Sequence, residues 1–254
     1  MKFIVHPDYQ SQKESILHHI QNFETEGLLF GNGDRNVIKL FQLGSVTINI
    51  KSFKIPNLIN KVAYRYFRRS KAERSYSFAM QLLEKGIGTP QPVAYAEASA
   101  LGLLTKSYYV SEHLVTELTF RELIDIPDYP DGDNILRQFT RFCFELHEKG
   151  VEFLDHSPGN TLIKKVADGT YAFFLVDLNR MKFHTEPMSF EDRMANMRRL
   201  THVTEMALVM SDEYAKLYHK DYETVKDALL ATISDFHRKL QRKRKIKKLL
   251  KFWK

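Results

Sequence analysis

A single cysteine, Cys143, excludes an intrachain disulfide. Its place on an apolar helical stripe fits a reducing compartment. No run of about 18 apolar residues occurs, so no segment reads as a membrane span. The opening, M-K-F-I-V-H-P-D-Y, turns polar too soon for a signal peptide. Internal repeats, Cys/His clusters of metal-binding spacing and low-complexity linkers are also missing. Excess positive charge is absent from most of the chain. The net charge is +7, but residues 238 to 254 hold ten Lys/Arg and no acid, which leaves 28 basic against 31 acidic residues elsewhere. That balance excludes a basic nucleic-acid-binding body, and no nucleic-acid partner is expected. What is present, 254 residues with 43% hydrophobic and 27% charged, suffices for one large domain or two lobes sharing a cleft.

The informative stretch is L-H-E-K-G-V-E-F-L-D-H-S-P-G-N-T-L-I-K-K-V-A-D-G-T-Y-A-F-F-L-V-D-L-N-R, residues 146 to 180. A helix ends at Gly150, and a loop follows with Asp155 and, five residues on, Asn160. Thr161 to Val166 reads as a strand, Asp168-Gly169 as a two-residue turn and Tyr171 to Val176 as the return strand. Asp177 closes it. Two carboxylates and a carboxamide on one hairpin are hard oxygen groups, suited to Mg²⁺-assisted phosphoryl transfer. One Asp receives the proton of an attacking hydroxyl, and the Asn and second Asp hold the metal. D-x-x-x-x-N, a hairpin, then an apolar strand ending in Asp is the order of the protein-kinase fold. Taken singly, each residue is also an ordinary loop former, because Asp and Asn bond their own backbone.

On these residues the chain resembles the lipopolysaccharide core sugar kinases, the Kdo/heptose kinase family of the protein-kinase-like superfamily, over roughly residues 30 to 210. Asp155, Pro158, Gly159 and Asn160 match the D-x-x-P-G-N form of small-molecule kinases. Ser157 stands where protein kinases usually carry Lys. The sequence departs from the pattern at Phe153, where a histidine is usual, and at Leu178-Asn179-Arg180, which replaces the Phe-Gly of D-F-G. The resemblance implies an α+β, two-lobed kinase-like fold, with an antiparallel sheet and one key helix in the N-lobe and a mainly helical C-lobe. The expected division is 1–113, 114–236 and a basic tail, 237–254. It also implies ATP and Mg²⁺ as cofactors and a lipopolysaccharide core or lipid A-linked sugar of a Gram-negative bacterium as substrate. Asp155 is then the catalytic base, and Asn160 and Asp177 are the metal ligands.

Upstream, Ser11 to Phe23 reads as a helix with a Ser11/Glu14 capping box and Ile16, Leu17, Ile20 and Phe23 on one face. Glu26 to Phe53 reads as three strands. The first turn, Gly31-Asn32-Gly33-Asp34, is either the loop that covers ATP phosphates or an ordinary hairpin turn, since the longer glycine pattern is missing. The third strand, V-T-I-N-I-K-S-F, ends in Lys51, which matches the family's nucleotide lysine; Lys54 competes, and a solvated edge lysine is the bland alternative. Asn57 to Arg69, with K-V-A-Y-R-Y-F-R-R, flanks an anionic substrate or is a solvated helix face. Ser70 to Lys85 reads as the helix whose Glu73 pairs with the lysine, unless Ser70 and Glu73 form a capping box instead. By register from Gly86 the family glutamate falls nearer Ser75. G-I-G-T-P-Q-P-V-A-Y resembles the family's link into the next strand. Leu101 to Leu114 reads as two more strands, and backbone groups at Glu112 to Leu114 are expected to meet adenine.

Thr119 to Ile126 reads as a short helix. Asn134 to Lys149 reads as a longer one that buries Ile135, Leu136, Phe139, Phe142, Cys143 and Leu146. His147 reads as a residue of that helix's C-terminal end rather than a catalyst. Ser189 opens another helix, Asn196 and Arg199-Leu200 match the family's N-x-x-R-L pattern in a structural role, and residues 212 to 236 read as helical support. The tail, H-R-K-L-Q-R-K-R-K-I-K-K-L-L-K-F-W-K, puts Ile246, Leu249, Leu250 and Trp253 on one helical face among lysines. That composition suits a helix lying on an anionic membrane surface, here the cytoplasmic face of the inner membrane; a solvated end and, further behind, a nucleic-acid contact are the alternatives. Two rival functions stay open: a kinase of another small-molecule alcohol, aminoglycoside- or choline-like, and a non-catalytic module that keeps the fold.

Overall fold

The computed structural model describes residues 1–31, 36–54, 69–100 and 103–252. Gly33, nearly all of the basic stretch 57–69, and Trp253 lie outside the described residues. The chain forms two compact units, Met1–Val115 with Leu175–Arg180, and Thr116–Phe174 with Met181–Lys254.

The first unit is built on a six-stranded sheet. Its strands are β1 (Lys2–Val5), β2 (Leu28–Phe30), β3 (Asn36–Leu43), β4 (Val46–Phe53), β5 (Pro92–Ala100) and β6 (Leu103–Glu112), in the order β1-β5-β6-β4-β3-β2. Every pairing is antiparallel. Strand alternation sorts the side chains of β4. Ile48 and Ile50 go to one face, where they join Ile16, Ile20 and Phe23 in the core. Ile16 and Ile20 belong to α1 (Lys13–Gln21), which therefore covers that face. Lys51, one residue out of phase, goes to the other. Directly opposed residues share a face, and Lys51 opposes Tyr109, which opposes Tyr95. Tyr95 packs on Tyr76 of α2 (Lys71–Glu84), with ring centroids 5.3 Å apart. The lysine and α2 thus share one side of the sheet.

Several elements differ from expectation. β1 is an edge strand too short to show a period. Ser11 makes no capping box: a 3-10 turn, Pro7–Gln12, precedes α1, and the cap residue is Gln12, without a side-chain bond. Between 101 and 114 there is one strand, not two; its partner is Pro92–Ala100. Residues 119–126 form the end of β7 (Leu118–Thr119) and a single helical turn, α3 (Glu122–Asp125).

The second unit is carried by α4 (Gly132–Glu148), α5 (Phe190–Met197), α6 (Thr204–Tyr218) and α7 (Tyr222–Phe252). The predicted apolar stripe of α4 is buried as read. Residues 212–236, read as helical, fall in two helices, because His219 takes a left-handed φ of 50° and ends α6. β9 (Thr161–Ala167) and β10 (Thr170–Leu175) form the expected hairpin, with Gly169 at φ 61° in its turn, and β7 completes their sheet. A two-stranded ribbon, unread in the sequence, pairs β8 (Val151–Phe153) with β11 (Met181–Phe183) and frames the loop that carries Asp155. Gly150 makes the ribbon possible: its φ is 67°, and a Cβ there would lie 2.6 Å from the carbonyl oxygen of His184. No other residue fits that place without moving backbone.

Candidate functional site

In the first unit Lys51 Nζ donates to Asp177 Oδ1 at 2.7 Å. The same oxygen accepts from Asn179 Nδ2 at 2.9 Å. Asp177 Oδ2 has no protein donor among the described residues. Asp177 itself takes φ 60°, a left-handed conformation that Asp tolerates better than most residues. Its segment is tied down just upstream. Leu175 N donates to Gly88 O at 2.9 Å, and Thr89 Oγ1 donates to Leu175 O at 2.8 Å. The G-I-G-T-P link therefore fixes where the β10 strand ends. Leu178, which stands at the Phe of the D-F-G pattern, is buried.

Glu73 does not pair with Lys51. Its amide donates to Ser70 Oγ at 3.0 Å, as a cap requires, and its carboxylate meets Lys2 Nζ at 3.1 Å and Arg69 Nε at 3.9 Å. The physical reason is β1, whose Lys2 reaches the first turn of α2 and takes the carboxylate. Ser75, the alternative by register, is buried. Glu112 is likewise engaged. Its amide donates to Gln91 O at 2.9 Å, its carbonyl accepts from Asn49 Nδ2 at 3.3 Å, and its carboxylate accepts from Tyr9 O–H. His113 N–H is spent on Thr47 O at 2.8 Å. Of the backbone groups expected to meet adenine, those of Leu114 make no bond among the described residues. Gly31 ends β2 with φ 79° and open space where a Cβ would stand.

In the second unit the loop after β8 sets out Asp155 and Asn160. A 3-10 turn, Pro158–Asn160, follows. Asn160 Nδ2 donates to the backbone carbonyl of Asp155 at 2.8 Å. That bond points the amide nitrogen inward and leaves Oδ1 with no donor among the described residues. Oxygens such as Asn160 Oδ1 and Asp177 Oδ2 are the donor chemistry that Mg²⁺ takes. Asp155 Oδ1 receives Arg199 Nη1 at 2.5 Å, and the same nitrogen lies 3.4 Å from Leu154 O. Beside Asn160, Gly159 accommodates a further cation: Arg121 Nη2 lies 2.9 Å from where a Cβ would be.

Phe153 takes up the histidine position by packing instead of hydrogen bonding. Its side chain is buried, and its carbonyl accepts from His156 N at 3.1 Å and from Asn196 Nδ2 at 3.0 Å. His156 lies between the rings of Phe139 and Phe153, with centroids 5.8 and 5.5 Å away, and burial lowers its pKa to about 4. His147 is fully buried as well. Its Nε2 lies 3.3 Å from Asn196 Oδ1 and its Nδ1 2.8 Å from Tyr214 O–H. Since Asn196 donates through Nδ2, its Oδ1 must accept, so Nε2 carries the proton and Nδ1 accepts from the tyrosine. Burial holds this ring neutral, with a pKa lowered to about 3. Arg193, 2% exposed, completes the buried set through Met188 O at 2.7 Å and Glu148 at 2.6 Å, with its guanidinium 4.7 Å from the Tyr218 ring centre. Asn196 thus ties α4 and α5 to the backbone of the Asp155 loop. Sequence reasoning placed Asn196 and Arg199 as structural residues and had no signal for the Arg199–Asp155 pair, whose members are 44 residues apart.

A solved structure described as WaaP in complex with acyl carrier protein shares the fold. Its TM-score is 0.64 and its sequence identity 14%, with 95% of this chain and 99% of that chain covered. At that identity the likeness is one of fold. No protein-family model and no curated protein matches the chain. The fold is the α+β, two-lobed protein-kinase-like one, with an antiparallel N-terminal sheet and a mainly helical C-terminal part.

The buried histidines set a pH dependence. His147 and His156 are neutral when folded and regain a pKa near 6.5 when unfolded. Below that value the unfolded chain binds the extra protons, so stability is complete above pH 6.5 and is lost progressively toward pH 4 and 3. The urea midpoint should hold from pH 8 to 7 and fall between 6.5 and 5, ahead of most carboxylates. His147→Gln should flatten that fall. A wild-type midpoint unchanged from pH 7 to 5 contradicts the assignment.

Proposed function

We propose that this chain is an ATP- and Mg²⁺-dependent phosphotransferase whose acceptor is a sugar hydroxyl, on Kdo, in the inner core of lipopolysaccharide. The observation that carries the phosphotransferase reading is the 2.7 Å bond between Lys51 and Asp177, on a fold of the protein-kinase type. The acceptor class is supported by D-x-x-P-G-N at Asp155 to Asn160 and by the uncharged Ser157, features of small-molecule kinases.

Lys51 would place the α- and β-phosphates. Asp177 and Asn160 would hold Mg²⁺, which when bound neutralises charge on the phosphate oxygens. Asp155 accepts the proton of the acceptor hydroxyl as its oxygen attacks the γ-phosphorus. The bond from that phosphorus to the bridging oxygen breaks, and ADP leaves with the electron pair. Most of the rate comes from positioning and charge stabilisation. Backbone groups of Leu114, in place of those of Glu112, are left to meet the adenine.

The basic tail belongs to the same proposal. Helix α7 runs without a break from Tyr222 to Phe252, so the tail continues a helix of the second unit. Its side chains from Gln241 to Lys248 are exposed, Ile246 among them. Leu249 and Leu250 follow Ile246 at helical spacings of three and four residues. We place this segment on an anionic membrane surface, where each basic residue is worth about 1 kcal/mol. A lipid A-linked acceptor lies in the same surface. Among the described residues no helix is long and apolar enough to cross a membrane.

Transfer of label from γ-labelled ATP to lipid A carrying Kdo tests the function directly. The wild type should label it in the presence of Mg²⁺, and Asp155→Asn should lower kcat by about 10²- to 10⁴-fold while the protein stays folded. No transfer to the glycolipid but transfer to an aminoglycoside or choline moves the assignment to that acceptor. No transfer to any acceptor leaves the non-catalytic module.

Vesicle cosedimentation tests the tail. The full chain should sediment with anionic vesicles at low salt and be released at high salt, and a chain lacking residues 238–254 should stay in solution. Equal binding by both chains rules out the anchor.

A further inference from the structure

The loop D-H-S-P-G-N carries one charged side chain at neutral pH, that of Asp155. Ser157 brings no cation, and His156 is buried and neutral. A carboxylate that takes a proton from a hydroxyl must keep one oxygen aimed at it, and nothing within the loop does this. The fixing group comes from elsewhere in the sequence. Arg199, just beyond α5, puts Nη1 2.5 Å from Asp155 Oδ1 and 3.4 Å from Leu154 O. Its guanidinium is backed by the Phe236 ring of α7, whose centre lies 5.8 Å away. The loop is braced independently by the Asn196 bond to Phe153 O.

We infer that Arg199 is the positioning residue for Asp155: it fixes Oδ1 and turns the second carboxylate oxygen, Oδ2, toward the acceptor hydroxyl. This inference rests on the phosphotransferase reading above. Three features of the geometry support it. The contact is charge-assisted and short, so it fixes both side-chain torsions of Asp155. It occupies one carboxylate oxygen only, and Oδ2 has no donor among the described residues. Both side chains are partly open to solvent, 31% for Arg199 and 25% for Asp155. A pair so exposed contributes little to stability, so its main consequence is orientation. Arg199 is held in turn by α7, the helix that continues into the basic tail, so the orientation of Asp155 depends on a ring 81 residues further along the chain.

The experiment measures Mg·ATP-dependent transfer to lipid A carrying Kdo by wild type, Arg199→Gln, Arg199→Lys and Arg199→Ala, with thermal unfolding of each. Arg199→Gln should lower kcat by about 10- to 100-fold, the order of loss that follows from misplacing a reacting group by up to about 1 Å, with KM for ATP changed less than about twofold because uniform binding is untouched. The unfolding temperature should stay close to that of the wild type. Arg199→Lys should retain more activity than Arg199→Gln, and millimolar guanidinium should restore part of the activity of Arg199→Ala. An Arg199→Gln enzyme within twofold of wild type in kcat overturns the inference and leaves the phosphotransferase reading standing. So does a loss matched by a collapse in unfolding temperature with no rescue by guanidinium, which makes Arg199 structural. No transfer by the wild type to this acceptor, an aminoglycoside or choline removes both.

Discussion

The bond from Lys51 to Asp177 joins residues 126 positions apart. Everything around it in the first unit is arranged to keep those ends together. β4 alternation sends Ile48 and Ile50 into the core and Lys51 to the opposite face, beside Tyr109 and the α2 side of the sheet. The Gly88 and Thr89 bonds to Leu175 fix the end of β10, so the left-handed turn at Asp177 falls in reach of the lysine. A cation and an anion at 2.7 Å with limited solvent access attract strongly, on the order of 6 kcal/mol of Coulomb energy at an effective dielectric near 20. Much of that is offset by desolvation. In the proposed phosphoryl transfer the pair's value therefore lies in placing two groups that the reaction needs, with Asn179 holding the same carboxylate oxygen and the other left without a donor among the described residues.

The second unit solves a matching problem by different means. Asp155 sits in a short loop, and loops are held by whatever surrounds them. Here the surroundings are a buried polar set. His147, Asn196, Arg193 and Tyr214 satisfy one another in a region without water access, where an unpaired group would be costly. Asn196 extends that set to the carbonyl of Phe153, and Arg199, outside the set, meets Asp155 itself. The phenylalanine in the histidine position is consistent with this arrangement: the loop is held through its backbone carbonyl, so the side chain is free to pack.

The hairpin with Asp155, Asn160 and Asp177 was legible because turn chemistry and strand period are local signals. Lys51 was legible for the same reason, as the last cation of an alternating strand. The strands missed, β1, β7, β8 and β11, are two to four residues long and show no period to read. One of those short strands decides the partner of Glu73. β1 brings Lys2 to Glu73 and takes that carboxylate away from Lys51. At Glu112, the neighbours Gln91, Asn49 and Tyr9 use up its backbone and side chain, a tertiary fact that no local pattern carries. Arg199 was visible as part of N-x-x-R-L, but its partner is set by how α5 meets the β8 loop, which only packing determines.

The central proposal is that Asp177 holds Mg²⁺ on a bound nucleotide. Thermal unfolding with and without Mg·ATP, on wild type and Asp177→Ala, tests it most directly. A ligand that binds only the folded chain raises its unfolding temperature, by more the further its concentration exceeds Kd, and on a logarithmic scale. The account predicts a Mg²⁺-dependent rise for the wild type and little or none for Asp177→Ala. An equal rise in both proteins contradicts it.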